Sequence, residues 1–571
     1  MRHLSLIVFL LLVTTLSSKN SNDIGMICKR ISLGYGCRAI SNPIIVDESH
    51  FGKQPDLMDI IAQHPNTLIS LAMDIDCPAS CEHQIKNITI DGNGHTIKLK
   101  RFPKANYIDV WINNVIFDCS SAEDDFLYAI SNGTGSFVVQ NCTFVNIKEI
   151  NLLTARGYAT TFIAGNLFKG DLKNDTTYTR ATNRVVFVYD AKGEVILEKN
   201  TIRDCYGIGI DAIGFNDKMK EGVQIYENTI ENVTNGGIVI NGGDVWNAEI
   251  CRNKISNVHC NGTQFGESID AENSAINVHG FHNLTVEGNM ISDCIHGSCF
   301  DFDGSDGTDV IAKGSGLKVS GNVCENVCGS ALFGVNDVVF ENNTMMSVAE
   351  KENALNFLSV LGCEDVAIRN NKITTHAPKN GSVYPIYLSN TSKLKSGDIV
   401  IRGNHIKSEG RTFLFVNQTF SGLCNLSKNH NQSVNGKSML TYANNASAEH
   451  VRLLDADVVK SVLLKTTSVM PRLLLSKCDD RGGVKEIWIK ATREISFQDP
   501  ITVNLVAKGS RDIILWSASY DTLKKGWTKI PLERYVQNTD SDYYITCSNT
   551  NVKSTLKIKV IMENPSAMKY F

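Results

Sequence analysis

Charge of one sign is what this chain most plainly lacks. Lys and Arg total 56 against 60 Asp and Glu, a formal net charge of −4. No electrostatic pull toward nucleic acid or an anionic membrane surface is built in. Charged residues make up only 20% and hydrophobic residues 42%, which excludes a disordered chain. Long apolar runs are scarce too. The first, Leu4–Val13, follows Arg2 and His3 and precedes Thr14-Thr-Leu-Ser-Ser18. It falls short of the ~20 apolar residues that span a bilayer. A basic start, a short apolar core and a small-residue exit mark a cleaved secretory signal over residues 1–18. No later stretch is long enough to span a membrane, and Met562–Phe571 lacks the hydrophobic tail of a lipid-anchor signal. The expected mature protein is secreted, or displayed on a virion surface if viral.

Cysteine is not scarce. All 17 cysteines follow the signal, and an oxidising compartment is where such residues pair. An odd count leaves at least one thiol free or intermolecular. No Cys/His group has zinc spacing. Asn-x-Ser/Thr sequons are frequent, and Asn87, Asn132, Asn174, Asn232, Asn283 and Asn390 are candidate glycosylation sites, expected to face solvent.

Helical periodicity is missing from every long stretch, and an internal repeat takes its place. Val195-Ile-Leu-Glu-Lys-Asn200-Thr-Ile202, Val223-Gln-Ile-Tyr-Glu-Asn228-Thr-Ile230 and Leu284-Thr-Val-Glu-Gly-Asn289-Met-Ile291 share the template apolar-x-apolar-x-x-Asn-x-apolar. Further copies centre on Asn253, Asn322, Asn343, Asn371 and Asn404, with weaker ones at 88–97, 137–144 and 161–168. Alternating apolar residues are strand periodicity with one buried face. A strand, an Asn bend, a second strand and a Gly-rich return at this period describe a coil stacked on itself. The Asn suits the bend because it tolerates left-handed backbone and its amide can bond its equivalent one rung away.

These copies, with the opening Lys86-Asn-Ile-Thr-Ile-Asp-Gly-Asn-Gly-His-Thr-Ile97, resemble the right-handed parallel β-helix proteins of the pectin-lyase-like superfamily over about residues 50–420. The resemblance implies an all-β fold, a right-handed parallel β-helix of about eleven rungs, on the order of 50 Å long at ~4.8 Å per rung. It implies no single activity, because the fold hosts lyases, hydrolases, epimerases, tailspikes and adhesins. Trp111-Ile-Asn-Asn stands where pectate lyases have Trp-Ile-Asp-His, and the polygalacturonase motifs are absent, so no family's catalytic residues carry over. The expected organisation is an N-terminal segment with a capping helix at 19–85, repeats over 86–424, a linker at 425–447, and a β-sandwich-like domain at 448–571. That last domain is a candidate route to homo-oligomers.

Cys205, Cys294 and Cys328 fall five or six residues after their repeat Asn, so Cys294 and Cys328 on consecutive rungs are a candidate disulfide, with Cys77 and Cys81 a looser pair. Chemistry is sought after each Gly return, where outward side chains of successive rungs form columns. The column reads Asp211, then Asn241, then Asn277 and His279, then Asp301 and Asp303, and ends at Leu332 and Gly334. The 260–273 insertion adds Glu267, Asp270 and Glu272. Asp301, Asp303, His279 and Asp211 are the catalytic candidates; Asn241, Asn277, Glu267, Asp270 and Glu272 are the substrate-binding candidates. Carboxylates two apart on one strand lie ~6.6 Å apart, nearer the spacing of inverting than of retaining glycosidases. Asp303, Asp306 and Asp309 form an alternative calcium site, which beside an acidic sugar favours β-elimination with His279 as base. Two functions follow. One is a secreted lyase or glycoside hydrolase acting on an extracellular, preferably acidic, polysaccharide. The other is a non-enzymatic glycan-binding fibre or adhesin.

Overall fold

The computed structural model describes residues 43–77, 85–172, 183–214, 219, 221–241, 245–258, 274–295, 297–304, 314–347, 356–376, 384–409, 413–433, 443–444, 450–453, 472–475, 484–491, 494–508, 513–530, 542–548 and 556–562. Three parallel sheets of 17, 14 and 13 strands run through the first part of the chain. Each strand pairs with its counterpart one turn later, as in Val195↔Val223, Thr201↔Thr229 and Ile210↔Ile238. This is the right-handed parallel β-helix that the repeat implies.

The stack is longer than the repeat template. Its first sheet begins at Ile44–Val46 and ends at Val451–Leu453. Residues expected as a linker supply the strands Cys424–Ser427, His430–Ser433 and Ala443–Asn444, each paired to the rung before it. The 14 strands of the second sheet give a rod of about 60 Å at ~4.8 Å per rung. At the N-terminal end the helix Leu57–Gln63 starts from Asp56, whose carboxylate accepts from the Met58 and Asp59 N–H groups. Its Leu57, Met58, Ile60 and Ile61 are buried against the interior, which covers otherwise open strand ends.

The interior is filled by columns of like residues. Phe117, Phe144 and Phe168 stack at 4.8 and 4.9 Å between ring centroids on consecutive rungs. Beside them runs an asparagine ladder. Each Nδ2 donates to the next Asn Oδ1 along Asn166, Asn200, Asn228, Asn253, Asn289, Asn322, Asn343, Asn371, Asn404 and Asn429. Each also donates to a carbonyl one rung back, as Asn289 does to Ile250. The ladder Asn itself does not adopt left-handed backbone. That conformation falls on the residue before it: Lys199, Glu227, Arg252, Asn342 and Asn370 at φ +54 to +56°, with Gly288, Gly321 and Gly403 in the other copies. The Asn earns its place by its four hydrogen bonds, not by tolerance of the bend.

The cysteines whose side chains the structure describes are all buried, and no disulfide joins any two of them. Cys294 and Cys328 do sit on consecutive rungs, where the Cys328 N–H donates to the Cys294 carbonyl at 3.2 Å. The Cys328 thiol, however, donates to the Ile295 carbonyl at 2.6 Å. The Cys77 thiol donates to Asp56 at 3.7 Å, and its candidate partner Cys81 lies outside the described residues. Two glycosylation candidates do not face solvent. The buried Asn87 and Asn232 donate their Nδ2 groups to Asn66 and Asp204 at 2.8 and 2.7 Å. Asn132 and Asn283 are exposed and Asn390 partly so. Asn174 and residues 1–18 lie outside the described residues.

Beyond residue 470 the described strands form two antiparallel sheets. One joins Arg472–Leu475, Ile495–Lys508, Ile513–Leu523 and Asp542–Ser548; the other joins Val484–Ala491, Gly526–Ile530 and Leu556–Met562.

Candidate active site

The third sheet carries the candidate residues, set by the alternating apolar residues of two of its strands. In Ile276–His279 and Phe300–Asp303, Ile276, Val278, Phe300 and Phe302 are fully buried. The Phe300 and Phe302 rings stack at 5.6 Å. That packing turns Asn277, His279, Asp301 and Asp303 to the outer face. Parallel register then sets Asn277 opposite Asp301 and His279 opposite Asp303. Neighbouring strands lie ~4.8 Å apart and alternate residues ~6.6 Å apart, so the four side chains form a compact rectangle. Asn241 continues the His279 column one rung earlier.

Outward register does not mean open to water. Asn277 is 1% exposed, whereas His279, Asp301 and Asp303 are partly exposed. Burial raises the Asp301 carboxyl to about 7, and the negative charge of Asp303 adds to the effect. Burial lowers the His279 imidazole, against the opposing pull of the Asp303 charge. The His279 Nε2 is buried with no hydrogen-bond partner. The rectangle therefore holds a carboxyl raised to about 7, a second carboxyl beside it and an imidazole that resists charging. Such a set can donate and accept protons.

Asp211 does not belong to it. Val239 separates it from Asn277 in the column. Asp211 is fully buried, and the Arg184 guanidinium donates to it through Nε. A carboxylate locked to an arginine is a poor base, and its role is structural. The expected end of the polar column is displaced by one residue. Ala331 and Phe333, not Leu332 and Gly334, face Asp301 and Asp303, and Leu332 packs inside. The change to apolar character at that rung remains. Glu267, Asp270, Glu272, Asp306 and Asp309 lie outside the described residues. Among the described residues no group of three or more His, Cys, Asp and Glu side chains could hold a metal ion.

Sequence reasoning passed over two features of this surface. Arg184 and Arg156 lie over the rings of Phe187 and Tyr189, at 4.6 and 4.3 Å from guanidinium carbon to centroid. Around the next corner, Trp246, His282, Ser315 and Asn336 form a second polar column on the first sheet. A signal existed for the second. Each residue stands seventh before a ladder Asn, namely Asn253, Asn289, Asn322 and Asn343.

No family model matches this chain, and no curated protein matches it. Solved structures do. The chain is similar to a periplasmic alginate epimerase, AlgG, at 12% identity over 69% of this chain and 84% of that one, TM-score 0.35. It is similar to a tailspike of E. coli bacteriophage HK620 at 11% identity over 91% and 93%, TM-score 0.34. A third is the Streptococcus pneumoniae surface protein and adhesin PfbA, at 12% identity over 70% and 94%, TM-score 0.27. At these values the likeness is one of fold alone, and among the described residues no helix is long and apolar enough to cross a membrane. The chain is a right-handed parallel β-helix protein, a fold that its own three sheets establish.

Proposed function

We propose that this protein is an extracellular polysaccharide-active enzyme that holds a glycan on the outer face of the third sheet and cleaves it by hydrolysis. One observation carries the reading: Asp301 keeps its proton to about pH 7 because burial, reinforced by Asp303, disfavours its charge. A general acid needs that property. Asp301 donates its proton to the glycosidic oxygen as the bond to the leaving sugar breaks. Asp303, ~6.6 Å away on the same strand, takes a proton from the attacking water, a separation that suits inversion. His279 accepts a hydrogen bond from a sugar hydroxyl through its unpartnered Nε2, and Asn277 stands directly opposite Asp301. The extracellular location rests on the signal-like residues 1–18, and assembly through residues 448–571 remains part of the proposal.

The test is mass spectrometry of products released from a panel of neutral and uronic polysaccharides, with and without EDTA. Wild type is compared with Asp301→Asn and Asp303→Asn. Hydrolysis adds one water to the products, and each substitution is expected to lower the rate about 10²–10⁴-fold. Products lighter by one water would replace hydrolysis by β-elimination with His279 as base, and an EDTA effect would restore calcium at the 303–309 segment. Retention on one glycan without any product would leave a binding fibre.

A further inference from the structure

The second polar column contains groups that the proposed chemistry does not use. Trp246, His282, Ser315 and Asn336 stand opposite one another on successive rungs, and all four are partly exposed. The Trp246 and His282 rings stack with centroids 4.2 Å apart. His282 Nδ1 and Ser315 Oγ are hydrogen-bonded at 3.0 Å. The middle of the column is thus satisfied, and its ends are not. Trp246 Nε1 and Asn336 Oδ1 are both buried and both lack a hydrogen-bond partner.

The first of these atoms can only donate and the second can only accept. Buried polar atoms are ordinarily paired, so each is a place where a ligand or an ordered water belongs. Three rung intervals separate them, about 14 Å, longer than a single sugar ring. The column also adjoins the candidate active site. His279 and His282 flank the corner at Gly280, whose φ of +63° is repeated by Gly334 at +61°. Glycine at these two positions adds no side chain of its own between the two columns. Among the described residues the column contains no Lys or Arg, and Glu364 follows Asn336 as its next member.

We propose that this column is a second glycan subsite, built for uncharged, hydroxyl-bearing sugar units that lie parallel to the rod axis. A sugar oxygen accepts from the Trp246 N–H, and a sugar hydroxyl three rungs on donates to the Asn336 amide oxygen. The subsite rests on the reading of the third sheet as polysaccharide-active, and it narrows the substrate to a chain with neutral units beside the cleaved bond.

Tryptophan fluorescence and calorimetric titrations of the full chain test it, with cellohexaose, galactohexaose, chitohexaose and hexagalacturonate as probes. One neutral hexasaccharide is expected to change the fluorescence and to bind more tightly than hexagalacturonate. Trp246→Phe, which keeps the ring stack and removes only the donor, is expected to abolish the signal and weaken binding about 5–10-fold. Asn336→Ala is expected to do the same to affinity, raising KM while leaving kcat unchanged. Tighter binding of hexagalacturonate, or unchanged affinity in both variants, overturns the subsite. If the glycan is cleaved by an Asp301-dependent reaction while both variants keep the wild-type KM, only the subsite falls. If no probe binds and none is cleaved, the subsite and the enzymatic reading fall together.

Discussion

Replacing Asp301 by Asn is expected to stabilise the protein at alkaline pH while removing the proposed proton donor. In the folded chain the Asp301 carboxyl is raised from an ordinary 3.8 to about 7, chiefly by burial. That is about three pH units, each equivalent to 1.36 kcal/mol, or about 4 kcal/mol in all. Because the folded-state value is raised, the native protein holds a proton that the unfolded chain releases. This contribution is fully present below about pH 4 and is lost as the pH climbs toward about 7. An amide has no proton to lose. Wild type and Asp301→Asn should therefore be similarly stable at pH 4, and at pH 8 the variant should be more stable by about 4 kcal/mol. His279, whose value burial lowers, works in the opposite direction, losing stability as the pH falls below its ordinary 6.5. It is present in both proteins, so it cancels in the comparison at each pH. Urea unfolding followed by circular dichroism across pH 4–8 measures the difference. A gap that does not change with pH, or one that grows in favour of wild type as the pH rises, would refute the buried-acid argument and remove Asp301 as the proton donor.

Two further substitutions probe what holds the scaffold. Asn289→Ala removes an acceptor for the Asn253 N–H and Nδ2 at 2.9 and 3.0 Å and a donor to Asn322 and Ile250 at 2.9 and 2.8 Å. At about 1–3 kcal/mol for each buried group left unpaired, a loss of about 4 kcal/mol is expected in denaturant unfolding. A loss below about 1 kcal/mol would mean that water replaces the amide. Arg184→Met leaves the fully buried Asp211 without its guanidinium and should cost about 3–5 kcal/mol. The double variant Arg184→Met/Asp211→Leu should recover most of that loss in the same assay, and failure to recover would show that other partners of the pair dominate.

Much of the rod was legible because its repeat is rigid where the sequence is most regular. From the strand before each ladder Asn to the strand after it, chain length does not vary. The apolar alternation and the Asn therefore recur at constant offsets, and the order of the coil can be read from them. The copies before Asn166 were legible only weakly, and the first strands, from Ile44, were missed, for a physical reason. In the rungs before Asn166 the ladder place is taken by Cys142, whose N–H still donates to the Asn166 Oδ1 at 2.8 Å. The backbone continues the stack there without the residue that advertises it. At the other end, the strands of 424–444 hold their pairing with Asn- and Ser-rich sequence that also fits a linker.

The third sheet divides the two kinds of knowledge most clearly. Local alternation in Ile276–His279 and Phe300–Asp303 was enough to turn Asn277, His279, Asp301 and Asp303 outward together. It was not enough to align the next rung, because the turns flanking the third sheet vary in length and no offset from the ladder Asn holds. Leu332 is therefore displaced by one residue from its expected place, and Asp211, a catalytic candidate by sequence, is buried on an arginine. Sequence alone determined the coil, its period and the outward face of single strands, since each depends on residues only a few positions apart. Tertiary structure decided which residues of different rungs stand side by side, which outward carboxyl is buried, and which is bound to an arginine 27 residues away. Those are consequences of register and burial, and no local pattern encodes them.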